Sequence, residues 1–262
     1  MRAIPRAGGV LKSDSCSSLE EWASSQKVVM STHAVLFDLR GTLLKDPDPS
    51  FTLNATMLQA KSLHVDPIRF ASSWYNHAHQ TVEHIELPWI ESNLQAVCDD
   101  LGVELDPLLR RRLADQREQV IRQSLKPRRG AVRLLTRLRA QGIRTGVIGD
   151  VPPDVRRMLQ QTELAKHLDV ELLSTSGACR HTDPRVLRHA ISALGVPAKT
   201  CLYVTAGEIE ELDAADLFGL QPVAFREAED DEYITDLVGG YPRVGTMIEV
   251  YWMAMEESVA AA

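Results

Sequence analysis

Apolar and polar positions alternate along this chain in blocks of two kinds. The first clear block is Ala34-Val35-Leu36-Phe37, followed by Asp38-Leu39-Arg40-Gly41-Thr42. An unbroken apolar run of this length, closed by turn residues, reads as a buried strand of a parallel sheet. Similar runs cover Ile143 to Ile148, Val170 to Leu173, Cys201 to Thr205 and Pro222 to Phe225. Between them the spacing is helical. From Ala131 to Ala140, Val132, Leu135 and Leu138 share one side, while Arg133, Arg137 and Arg139 lie largely on the other. Pro152-Pro153-Asp154 opens a helix to about Leu164, Asp183-Pro184 one to Leu194, and Glu208 one to Leu217. Tyr241 to Glu256 reads as a last helix with Met247, Tyr251 and Met255 as its stripe. Strands alternating with helices imply an α/β fold, a doubly wound parallel sheet with right-handed crossovers.

One block breaks the alternation. Residues 51–126 are helical in character, with Ile90, Leu94, Val97, Cys98 and Leu101 at helical spacing. Asp66-Pro67 and Asp106-Pro107 each pair an N-cap with a first-turn proline, so about four helices are expected here. The expected layout is an arm over residues 1–29, a core from 30–45 and 127–262, and an inserted helical unit over 46–126. The arm holds Gly8-Gly9, a serine-rich stretch and little periodicity. Ser18 to Gln26 is expected to form a short helix anchored by Trp22. Met30 is a candidate alternative start.

Asp38 falls at the carboxyl end of its strand, where open α/β sheets place ligands. Gly41 permits a tight turn beside it, and the Thr42 hydroxyl can hold that turn. The competing reading is an Asp that only caps a loop. Asp38 to Thr42 resembles the first motif of the haloacid dehalogenase (HAD) superfamily, whose usual form is Asp-x-Asp-Gly-Thr. The resemblance implies a Rossmann-like core with an inserted all-helical C1-type cap, in a superfamily of mostly magnesium-dependent phosphatases. It places Asp38 at the nucleophile position and Arg40 where the general acid should be. Arg40 has no proton to give at working pH. In Val147-Ile148-Gly149-Asp150 it puts Gly149 where a Ser or Thr is usual, and Asp150 adds a negative charge there. In Arg180-His181-Thr182-Asp183-Pro184, His181 takes the Lys position, with Arg180 as a substitute cation. In Val204-Thr205-Ala206-Gly207-Glu208, Ala206 replaces the first acid of the fourth motif, and Glu211 follows as the second. Gly41, Thr42, Asp150 and Arg180 are the positions that would touch substrate. The acids left for a rearranged metal site are Asp38, Asp150, Glu208 and Glu211.

These departures imply a HAD-like pseudoenzyme with a binding, regulatory or structural role. The alternative is a metal-independent hydrolase, dehalogenase-like or a weak phosphatase, with Asp38 as nucleophile. No cofactor is expected, and the motif losses count against magnesium. Arg40 is expected to lie beside Asp38 and supply the positive charge that a metal would bring. His77 and His84, seven apart with His79 between, read as a polar helix face. Trp74, Tyr75 and Trp89 read as core of the inserted helices.

Composition narrows the partners. The chain has 262 residues, a formal net charge of -7 and 44% hydrophobic residues, enough for a sizeable core. The acidic balance argues against nonspecific nucleic-acid binding. No apolar run approaches the ~20 residues of a membrane span. Cys16, Cys98, Cys179 and Cys201 show no Cys-x-x-Cys spacing, so a reducing compartment is the default. The cytoplasm is expected. Arg2, Arg6 and Lys12 ahead of the first acid give a mitochondrial presequence as the weaker alternative. The expected partner is a protein or a small molecule.

Overall fold

The computed structural model describes residues 31–45, 49–78, 87–174, 183–227 and 237–259. β1 (Ala34–Asp38) leads into four helices: α1 (Pro49–Ser62), α2 (Pro67–Ala78), α3 (Trp89–Leu101) and α4 (Pro107–Ser124). Then come α5 (Ala131–Ala140), β2 (Arg144–Asp150), α6 (Pro153–Leu159), β3 (Val170–Ser174), α7 (Pro184–Leu194), β4 (Cys201–Thr205), α8 (Ile209–Leu217) and β5 (Gln221–Phe225). β6 (Leu237–Val238), β7 (Tyr241–Val244) and α9 (Met247–Val259) close the described chain. The arm lies outside the described residues, as do His79, His84, Arg180 and His181.

The seven strands run in the order β3-β2-β1-β4-β5-β7-β6. All pairs are parallel except β6 with β7. β1 is fully buried between β2 and β4, in register with Arg144–Ile148 on one side and Cys201–Val204 on the other. Because strand side chains alternate, β1 feeds two cores. Val35 and Phe37 pack with Leu135, Leu138, Leu202 and Val204 on one face. Ala34 and Leu36 pack with Leu187, Leu194 and Tyr203 under α7 on the other. The first cluster also takes in Phe70, Trp89, Leu94 and Leu113, so the inserted helices share its apolar interior.

Local chemistry accounts for the element ends. The Asp106 carboxylate accepts from the amides of Leu108 and Leu109, and Asp66 does the same for Ile68 and Arg69. α3 begins after Pro88 with no cap of its own. Buried Asp154, on α6, supplies it by accepting from the Ile90 amide at 2.9 Å. α6 stops at Leu159 rather than at Leu164, because the Thr162 amide and hydroxyl both take the Leu159 carbonyl. The single helix expected over Tyr241 to Glu256 is instead β7 followed by α9. Gly239 and Gly240, both at positive φ, make the turn that pairs β7 with β6.

Trp74 meets Phe70 and Trp89 as expected, but Tyr75 is exposed. Arg117 is buried in the same layer, its guanidinium 4.1 Å from the Trp74 ring centre. Burial lowers its pKa to about 10, which leaves it cationic at neutral pH. Cys98 and Cys201 are buried free thiols, pushed by burial up to about 11 and about 12 and so unreactive. No described helix is long and apolar enough to cross a membrane.

Candidate active site

β1 lies where the sheet order reverses: the chain runs outward through β2 and β3, then returns to β4 on its other side. The carboxyl end of such a strand is the ligand crevice of an open α/β sheet. Asp38 occupies that end and is buried. The loop after it is held at several points. The Leu39 amide donates to Ile148 O at 2.9 Å, and the Leu44 amide closes the turn onto Leu39 O at 3.0 Å. Gly41 sits at φ 73°. The Thr42 hydroxyl donates to the Asp38 carbonyl, as its place in the turn implied.

A second clamp was not legible in the sequence. Arg128, just ahead of α5, is buried and reaches back over the loop. Its Nε donates to Thr42 O at 3.0 Å and its Nη2 to Gly41 O at 3.1 Å, while its own amide bonds Leu43 O. Its Nη1 lies 2.6 Å from Glu227, which also pairs with Lys45 at 3.4 Å. The guanidinium stands over the Phe225 ring. A buried cation thus ties the Asp38 loop to the end of β5.

At the end of β4, the Thr205 hydroxyl donates to the Glu211 carboxylate. Arg226 donates to Gly207 O at 2.9 Å and to Ala206 O at 3.4 Å. Gly41, Lys45, Arg128, Ala206, Glu208 and Arg226 line one cleft of about 490 Å³. Tyr203 is buried nearby, and among the described residues its hydroxyl makes no hydrogen bond of good geometry. Burial raises its pKa well above 10, and the charges of Asp38 and Glu211 add to the shift, while the Thr205 hydroxyl offsets part of it. Tyr203 was legible only as an aromatic in an otherwise aliphatic strand.

The other expected acids do not gather at one point among the described residues. Asp150 is exposed at the end of β2, paired with Ser174 across the strands. Glu208 is exposed ahead of α8. Among the described residues no three metal-ligating side chains gather, so Asp38, Asp150, Glu208 and Glu211 do not form one site. The expected pairing of Arg40 with Asp38 is not formed. Arg40 is half-buried, its backbone bridges to Leu44, and it makes no ion pair among the described residues. Gly149 is buried where a Cβ would stand 3.1 Å from the Leu39 Cβ and 3.4 Å from Leu173. His77 lies 3.9 Å from Asp100, an ordinary contact of a polar helix face.

The model of the haloacid dehalogenase-like hydrolases matches residues 32–215. The chain belongs to that family. Its fold is shared with a dehalogenase crystal structure at 18% identity and TM-score 0.53, covering 85% of this chain and 96% of that one. A HAD phosphatase from Thermococcus onnurineus gives 19% identity and TM-score 0.55, covering 85% and 97%. An L-2-haloacid dehalogenase gives 17% identity and TM-score 0.52, covering 86% and 99%. No curated protein matches the chain.

Proposed function

We propose that this HAD-like chain is a binding, regulatory or structural protein and not a magnesium-dependent phosphatase. The observation that carries the reading is the cleft at the strand ends: Lys45, Arg128 and Arg226 line it beside Ala206 and Gly41, with Glu208 as its one acid. Phosphoryl transfer through a bound cation needs carboxylates converging there, with a proton donor and a hydroxyl for the phosphoryl oxygens. Position 206 offers a methyl group, position 40 a guanidinium and position 149 no side chain. Glu211, the acid nearest to that task, already accepts from Thr205. Among the described residues no three ligating side chains gather to hold a divalent cation. Losing one preorganised group commonly costs ~10² to 10³ in rate, and losses in one site do not simply add.

The retained loop geometry supports a binding role. The Gly41 and Thr42 carbonyls are occupied by Arg128, so the turn is rigid. A rigid, cation-lined cleft suits a small anionic ligand or an acidic side chain of a protein partner. A second reading, hydrolysis by Asp38 without metal, is supported by the buried Asp38 at the end of β1 and Glu211 near the end of β4, both close enough to Tyr203 to raise its pKa.

One activity screen tests both. Purified chain is assayed on an aryl phosphate with and without magnesium, and on a 2-haloacid without it. Background rates in every arm are expected. Phosphate turnover of order 1 to 10³ per second, lost on Asp38→Asn, would overturn the proposal; haloacid turnover with the same loss would establish the second reading.

A further inference from the structure

Away from the strand-end cleft, α5 and α9 enclose a groove of about 400 Å³. Its apolar wall is Met247, Ile248 and Tyr251, and its polar wall is Arg129, Arg133 and Arg137. Arg133 and Arg137 are one helical turn apart on α5, and Arg129 stands in the turn just ahead of it. All three are exposed, and none pairs with a carboxylate among the described residues. Arg137 instead stacks over the Tyr251 ring at 5.7 Å. Ile248 keeps 43% and Trp252 57% of its surface exposed. Three cations without an ion pair among the described residues, beside exposed apolar side chains and with Glu227 as the groove's one acid, stand out in a chain whose net charge is -7.

We propose that this groove is the docking site of the chain's own segment Leu19-Glu20-Glu21-Trp22. Charge and apolar character match: from Ser13 to Gln26 the sequence holds Asp14, Glu20 and Glu21 and no basic residue, with Leu19 and Trp22 beside the acids. Connectivity matches as well. Ser31, the first described residue, borders a depression with Gln141 and Met255, at the carboxyl ends of α5 and α9. The groove begins on those same two helices. From Gln141 back to Arg129 is about 18 Å at 1.5 Å per helical residue. The ten residues between Glu20 and Ser31 reach roughly 33 Å when extended, so the segment spans the distance with slack. The arginines supply the acids' counter-charges, and Tyr251, Met247 and Ile248 meet Leu19 and Trp22. The groove also borders Glu227, the residue that holds Arg128 over the Asp38 loop, so the docked segment lies next to the strand-end cleft.

Hydrogen exchange on the full-length chain, read against a free peptide of residues 13–27, tests this. Amides of residues 19–22 are expected to exchange at least ~10-fold slower in the chain than in the peptide. Glu20→Lys with Glu21→Lys should abolish that protection while leaving the rest of the chain unchanged. Arg133→Glu with Arg137→Glu should do the same, and combining both pairs should restore it. Circular dichroism of the arm variant checks that it keeps its fold, so the test stands even if the groove variant fails to fold. Exchange at the free-peptide rate in the wild-type chain would overturn the proposal. So would protection that survives Glu20→Lys with Glu21→Lys, or protection that grows with protein concentration, which would mean a segment supplied by a second copy.

Discussion

Leu39, on the loop side of Asp38, fills the space that a side chain at position 149 would need. The missing hydroxyl of the second motif is therefore a packing fact as well as a chemical one. Gly149→Ser should destabilise by about 1–3 kcal/mol through overpacking. Gly149→Ala should lose a similar amount, because the contact is with the Cβ; urea unfolding of both variants measures it. A serine variant much more stable than the alanine one would show that the hydroxyl finds a partner. Tyr203 makes the opposite case. Among the described residues its buried hydroxyl makes no hydrogen bond of good geometry, so Tyr203→Phe should leave stability unchanged or raise it by about 1 kcal/mol in the same assay. A clear loss would reveal a hydrogen bond to the hydroxyl. Asp38 was legible because an apolar run, a carboxylate and Gly-Thr follow in order. Arg128 was not: Arg-Arg-Gly after a proline reads as a solvated turn, and only the return of the chain over the Asp38 loop buries the first arginine. Arg40 was read as an internal cation from its motif position. The structure gives the clamp to Arg128 instead, because its longer approach from a separate segment meets the loop carbonyls directly.

Asp154 joins two elements that the sequence keeps apart. By accepting from the Ile90 amide it caps α3 from α6, and so fixes the inserted helices to the α/β core. Asp154→Ala should cost about 1–2 kcal/mol, while Asp154→Asn, which keeps an acceptor, should recover most of it. Thermal melts of the pair check this, and equal losses in both variants would assign the effect to the Arg157 contact instead. Elements set by strong local signals were legible. β4 and α5 fall where their patterns put them, and α2 and α4 start at the prolines that mark them, Pro67 and Pro107. The elements that escaped are set by backbone geometry. β6 and β7 are two and four residues long, too short for a period to show, and depend on the Gly239-Gly240 turn. The last turn of the expected 153–164 helix is lost to a threonine hydroxyl competing for a backbone carbonyl.

Across the whole molecule, the sheet order places Asp38 at the switch point of a HAD-type core, and the family match covers the chain from β1 into α8. The fold was legible because alternating strand and helix patterns admit few topologies. What the fold is used for was less so, since a fold hosts many functions and the site decides among them. Here Asp38 is buried at the end of β1, and the cleft beside its loop is lined by Lys45, Arg128 and Arg226 together with Glu208. We propose that this arrangement holds no magnesium. Melting temperature and calorimetric heat, followed as magnesium is titrated into the full-length wild-type chain, test it most directly, because any ligand that binds the native state raises its stability. No binding heat and an unchanged melting temperature at millimolar magnesium are predicted. Saturable heat with a rising melting temperature, both abolished by Asp38→Asn, would contradict the account.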